Sequence, residues 1–166
     1  MDLYLIRHGA AVELDNDIVE EGFRYLNKEG REKANEVAQK LKKLKTKLDA
    51  VFCSPLVRAV QTAEIFASVL QFKGEIKTVI ELIGGNSTAK FRSLIHRNSH
   101  LNSIACIGHV PDVYNFAVDL IKNDSVKEPK IHFHNCSVFK LNYDIPSENG
   151  KFVYFLESAT MKMISG

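Results

Sequence analysis

Residues 3–9, Leu3-Tyr4-Leu5-Ile6-Arg7-His8-Gly9, decide how the chain is read. Four apolar residues in a row, halted by polar residues and a glycine, are too short for an ordinary helix and predict a strand buried on both faces. That strand runs directly into an arginine and a histidine.

Working outward, residues 50–53 form a second apolar run, followed by Ser54-Pro55, an N-cap with proline at the first helical position. The helix is expected to reach about residue 72, with Leu56, Ala59, Val60, Ala63, Phe66, Ala67 and Leu70 as its apolar stripe. Residues 76–80 read as a third strand, 88–97 as a short helix carrying Leu94 and Ile95, and 103–107 as a fourth strand. Residues 111–122 then form a helix that turns Val113, Phe116, Ala117, Leu120 and Ile121 inward. Nearer the start, residues 10–26 are acidic, non-periodic and glycine-containing, as in a long surface loop of the kind that often carries function. From residue 28 to about 48, Ala34, Val37, Ala38, Leu41, Leu44 and Leu48 keep helical spacing behind Asn27 as N-cap. Residues 136–141 and 152–156 are expected to pair around a turn containing Pro146, Asn149 and Gly150.

Strands alternating with helices imply right-handed crossovers. The expected fold class is α/β: one domain over residues 1–166, a largely parallel sheet with helices on both faces, and a C-terminal strand pair. A chain of 166 residues buries one core and is short for two.

Net charge is only +2, and the basic run Lys40-Leu41-Lys42-Lys43-Leu44-Lys45-Thr46-Lys47 is interrupted by leucines at helical spacing. Its lysines are therefore the solvated face of an amphipathic helix, and neither nucleic acid nor membrane is an expected partner. The N-terminal segment lacks the features of a signal peptide and no run reaches membrane-spanning length, so a cytoplasmic monomer is expected. Cys53, Cys106 and Cys136 are odd in number and read as reduced, structural thiols.

Parallel sheets gather ligands at the carboxyl ends of their strands. Here the first strand ends in Arg7-His8-Gly9, the second in Ser54-Pro55-Leu56-Val57-Arg58 and the fourth in Gly108-His109-Val110-Pro111. Two arginines, two histidines and two helix N-termini thus face one crevice, with nothing acidic among them. Forked guanidinium donors and free helical N–H groups suit a phosphate. Arg58, in the first turn of a helix, opposes the macrodipole, a conflict that a bridging anion removes.

His8 is the expected nucleophile, because the strand end holds its ring and Gly9 lets backbone approach closely. A neutral ring must show one bare nitrogen to phosphorus while the other donates to a backbone carbonyl. His109 is expected to donate to a phosphoryl oxygen. Positive charge from Arg7 and Arg58 argues against a metal ion at these histidines, so neither metal nor cofactor is expected. His132, His134 and Cys136 alternate and would share one face of a strand; without a fourth ligand at suggestive spacing they read as a polar strand face.

Arg7-His8-Gly9, the run SPLVRAVQTA at 54–63 and the run IGHVP at 107–111 together resemble the histidine phosphatase superfamily, over residues 3 to about 116. The short chain and the stretch Arg24-Tyr25-Leu26-Asn27-Lys28-Glu29-Gly30 are similar to the SixA-type phosphohistidine phosphatases, with tyrosine and asparagine where that group has proline and threonine. The resemblance implies a phosphoglycerate-mutase-like fold and a phosphohistidine intermediate on His8. It further implies that Arg7, Arg58 and His109 hold the phosphoryl oxygens, with Gly9 and Arg24 as further contacts. Family members acting on sugar or glycerate phosphates also use a glutamate as general acid, for which Glu81 is the nearest candidate here.

An ester oxygen leaves poorly without a proton, whereas an imidazole, with a pKa near about 6.5, leaves more readily. A phosphohistidine on a protein, such as a histidine phosphotransfer domain of a signalling relay, is therefore the expected substrate. A small phosphoester cleaved with Glu81 as acid is one alternative. A module that binds phosphoproteins without catalysis is another.

Overall fold

The computed structural model describes residues 1–14, 20–121 and 131–165. In chain order these form β1 (Asp2–Arg7), α1 (Lys28–Lys43), β2 (Ala50–Cys53), α2 (Val57–Leu70), β3 (Ile76–Thr78), α3 (Thr88–Arg97), β4 (Ser103–Gly108), α4 (Asp112–Leu120), β5 (Val138–Asp144), β6 (Asn149–Leu156) and β7 (Met163–Ser165). Two short 3₁₀ turns, Glu21–Phe23 and Ile80–Leu82, complete the set.

One seven-stranded sheet runs in the order β3-β2-β4-β1-β5-β6-β7. The first four strands are parallel, and β5, β6 and β7 continue the sheet antiparallel. Side chains of β1 alternate between two cores. Leu3 and Leu5 pack with Phe91, Leu94, Val113 and Phe116 of α3 and α4. Tyr4 and Ile6 pack with Val37, Ala38, Ala59 and Phe66 of α1 and α2. The α/β architecture with helices on both faces is therefore as expected, and the apolar run that opens the chain is buried from both sides. No helix among the described residues is long and apolar enough to cross a membrane.

Several local expectations are corrected. α1 ends at Lys43, five residues early, because Lys45 takes a left-handed conformation at φ 57°. Thr46 N–H then donates to the Leu41 carbonyl (3.1 Å) and Lys45 N–H to that of Lys42 (2.9 Å), the paired bonds of a Schellman stop. α2 starts at Val57 with Leu56, not Ser54, at its N-cap. The third strand stops at Thr78, and Ile80 instead begins a 3₁₀ turn. β5 begins at Val138 because Cys136 sits at φ 66°, which a strand cannot accommodate, so His132, His134 and Cys136 do not share a strand face. Within residues 10–26, a bridge joins Ala11 to Leu26. Residues 15–19 of that loop, and the expected helix end at Lys122, lie outside the described residues.

Asn27 caps α1 as expected, accepting from Gly30 N–H at 2.7 Å, while its own N–H donates to the Ala10 carbonyl at 3.1 Å. The chain leaving His8 is thereby pressed against the first turn of α1. A Cβ on Gly30 would lie 2.0 Å from the Ala10 carbonyl oxygen, and one on Gly9 would lie 3.0 Å from the Gly30 carbonyl oxygen. Gly30→Ala gains about 1 kcal/mol in helix propensity, yet it collides with backbone that cannot turn aside. The expected net result is a loss of about 1–3 kcal/mol, read as a lower urea midpoint. A stabilised variant would show that this contact is slack.

Candidate active site

The three strand ends lie level. Arg7 pairs with Gly108 and Cys53 with Ile107 across the sheet, His8 N–H donates to the Gly108 carbonyl (3.0 Å), and Ser54 N–H to that of Ile107 (2.9 Å). Beyond them opens a cavity of about 510 Å³ whose lining includes Arg7, His8, Glu21, Arg24, Arg58 and His109. A larger groove, about 710 Å³, lies at the opposite end of β1 around Met1, Tyr143 and Gly150, away from these groups.

His8 Nδ1 is 2.7 Å from the Gly9 carbonyl oxygen and is assigned as the donor, since that oxygen can only accept. Nε2 is then unprotonated, and Arg58 Nε donates to it at 3.3 Å. Burial lowers the His8 pKa to about 3, opposed by the bond to Gly9 and helped by coupling to His109 and by the charges of Arg58 and Arg7. The ring is a neutral base with its lone pair toward the cationic cavity.

His109 is 8 % exposed, its ring centroid 4.8 Å from that of His8. Its Nε2 meets Ser54 Oγ at 2.8 Å. Ser54 Oγ accepts from Leu56 N–H (3.3 Å) and is assigned as the donor to Nε2, which gives its single proton a partner. The proton of the ring then sits on Nδ1, its one remaining donor. Burial, and next the charge on Arg58, lower its pKa to about 4. Ser54, expected as a helix cap, instead fixes this ring.

Arg7 Nη1 donates to the Phe133 carbonyl at 2.7 Å, and its Nε is buried with no hydrogen-bond partner among the described residues. Burial depresses its pKa. An anion in the cavity would satisfy this orphan donor. Arg58, 6 % exposed, gives Nη1 to the Glu21 carbonyl oxygen (2.9 Å) and Nη2 to the Glu21 carboxylate (2.8 Å). Arg24 donates from Nε to the Val12 carbonyl (2.6 Å) and from Nη1 to the same carboxylate (3.0 Å).

Glu21 overturns the expectation that nothing acidic belongs to the site. Hydrogen bonding from Arg24, and further the charge of Arg58, lower its pKa and keep it a carboxylate. It lies in the non-periodic loop, where sequence spacing gives no signal, three residues before Arg24. Thr62 was also missed. Fully buried, it accepts from Gly9 N–H (3.0 Å) and donates to the Arg58 carbonyl (2.6 Å), tying β1 to α2. Its position four residues after Arg58 was the available sign.

Two other expectations are corrected. Gly9 commits its N–H to Thr62 and its carbonyl to His8, and does not line the cavity; its smallness admits Leu26 and Gly30 instead. Glu81 does not line the cavity either, because its carboxylate is paired with Arg97. Burial raises the Glu81 pKa, but bonds from its own backbone and from Arg97 outweigh this and lower it, which does not suit a proton donor. His132 and His134 are exposed with ring centroids 6.3 Å apart. No group of three His, Cys, Asp or Glu side chains among the described residues is placed to hold a metal ion.

With this geometry in view, the model of the histidine phosphatase superfamily (branch 1) matches residues 3–83. An uncharacterized protein of Picosynechococcus sp. is 43% identical over 68 residues, which span 41% of this chain and 41% of that protein. Among solved structures, the protein histidine phosphatase SixA complexed with tungstate superposes with a TM-score of 0.86 at 24% identity, covering 98% of this chain and 100% of that one. A phosphoserine phosphatase variant of Entamoeba histolytica in complex with phosphoserine gives a TM-score of 0.65 at 17% identity, covering 97% and 99%. The chain has the histidine phosphatase fold, and the family model takes in the first two of its three motifs, those at 7–9 and 54–63.

Two expectations follow from this geometry. Thr62→Val leaves Gly9 N–H buried without an acceptor and should cost about 1–3 kcal/mol, measured by urea unfolding. An unfolded histidine titrates near about 6.5. With His8 at about 3 and His109 at about 4, the unfolded chain binds more protons between these values. Their contribution to stability is thus full above about pH 6.5 and is lost as pH falls toward the folded values. A His8→Asn, His109→Asn double variant should lose less stability between about pH 7 and 5 than the parent, and an equal loss would show that these rings are not buried neutral.

Proposed function

We propose that this chain is a metal-independent phosphatase that carries its phosphoryl group on His8 and acts on phosphohistidine borne by a protein. The observation that carries the reading is the state of His8: Nδ1–H anchored on Gly9, Nε2 unprotonated and held only by a long bond from Arg58 Nε (3.3 Å), with Arg7 and His109 beside it. Nε2 would give its lone pair to phosphorus while the bond to the leaving group breaks and its electron pair departs with that group. Arg7 Nε, Arg58 and His109 Nδ1–H are the donors for the phosphoryl oxygens. Water then attacks phosphorus, the bond to His8 breaks, and phosphate leaves with His8 neutral again. Two fixed arginines beside the nucleophile disfavour a divalent ion there, and the domain is read as acting without a cofactor.

The substrate reading rests on the leaving group. Glu81 is outside the cavity and paired, and Glu21 is held ionised, so neither suits protonation of an alkoxide. A leaving imidazole can carry the needed proton on its own second nitrogen. The mouth also suits a protein surface: Phe23, Ile83 and Val110 are 62%, 40% and 36% exposed, and the last two line the cavity. A histidine phosphotransfer domain offers both the phosphoramidate and such a surface.

Release of phosphate should be measured from a phosphorylated phosphotransfer domain, phosphoserine and p-nitrophenyl phosphate. The phosphohistidine protein is expected to be the preferred substrate, with activity unaffected by EDTA. His8→Ala should lower turnover at least about a thousandfold, and Arg58→Ala should fall chiefly in kcat/KM. An acid-labile, base-stable phosphoenzyme should accumulate on the parent and be absent from His8→Ala. Strong ester preference would favour the small-molecule reading, and phosphate binding with no phosphoenzyme would favour a binding module.

A further inference from the structure

In this structure the anion on Arg58 is part of the chain itself. Glu21 sets Oε1 2.8 Å from Arg58 Nη2 and Oε2 3.0 Å from Arg24 Nη1, while its carbonyl oxygen takes Arg58 Nη1. Arg58 is nearly buried, yet the Glu21 side chain is 52% exposed, so the carboxylate can swing into water without opening any core. It belongs to the 3₁₀ turn that also carries Phe23, which is 62% exposed.

We propose that Glu21 is a specificity-determining residue of the phosphoryl site: its carboxylate occupies donors of Arg58 and Arg24 that a phosphoryl group needs, so a phosphorylated ligand binds by displacing it. The inference rests on the reading of the cavity as a phosphoryl site. Two anions cannot share one guanidinium edge without strong repulsion, and the weaker-held must leave. Free phosphate or a small ester has only its own oxygens with which to compete. A phosphorylated protein adds apolar contact at Phe23, Ile83 and Val110, which offsets the loss of the internal ion pairs. Glu21 therefore discriminates against small phosphates, including released product, and leaves large partners less affected.

Affinity for inorganic phosphate should be measured by calorimetry on the parent, Glu21→Gln and Glu21→Ala at fixed ionic strength, together with KM and kcat for p-nitrophenyl phosphate. Both variants are expected to bind phosphate about tenfold more tightly, with KM falling in step. Because nearly buried Arg58 loses its counter-charge, both should melt below the parent in phosphate-free buffer and regain Tm as phosphate is added. Equal or weaker phosphate binding in the variants overturns the proposal and identifies Glu21 as a support for Arg58, leaving the phosphoryl site standing. Absence of phosphate binding in all three overturns both the site and the role of Glu21.

Discussion

The site depends on β1 having nowhere to move. Its side chains are clamped between α3 and α4 on one face and α1 and α2 on the other, and both edges are bonded, to β4 and to β5. A strand held on four sides transmits little slack to its end. Arg7 and His8 therefore emerge in fixed positions, and the imidazole needs only one further bond, to the Gly9 carbonyl, to be oriented. Preorganisation of this kind is achieved by packing during folding and not by contacts formed at the moment of reaction.

From that fixed end a short chain of hydrogen bonds reaches the other strand ends. Gly9 N–H bonds Thr62, Thr62 bonds the Arg58 carbonyl, and Arg58 Nε bonds His8 Nε2. The loop closes on itself, so a shift of α2 relative to β1 would break several bonds at once. His109 is fixed separately through Ser54, which begins the same β2–α2 connection. One connecting segment thus sets both Arg58 and the second histidine.

Much of this was legible in the sequence because it is written in local patterns. The apolar runs of β1, β2 and β4, the Asn27 cap and the span of α3 are set by neighbours within a few residues, and the three motifs fall where the strands end. What was illegible depends on distant partners. Whether Ser54 caps a helix or bonds a histidine is decided by His109, 55 positions away. Glu21 has no periodic context, and only the folded loop brings it to Arg58, 37 positions on. The pairing of Glu81 with Arg97 was illegible for the same reason, since it is visible only once α3 packs beside the turn.

The electrostatics of the cavity resolve an apparent contradiction. Under the proposed reading a nucleophilic histidine must stay unprotonated and a phosphate site must be positive, and each requirement serves the other. Burial and the nearby guanidinium charges depress the His8 pKa to about 3, so the cations that would hold a phosphoryl group also keep the nitrogen bare. Clustering those cations without a ligand has its own cost, because like charges repel and Arg7 and Arg58 are partly desolvated. Glu21, itself half-exposed, supplies negative charge against Arg58 and Arg24. A carboxylate fixed deeper, beside His8, would raise the ring's pKa and favour its protonation.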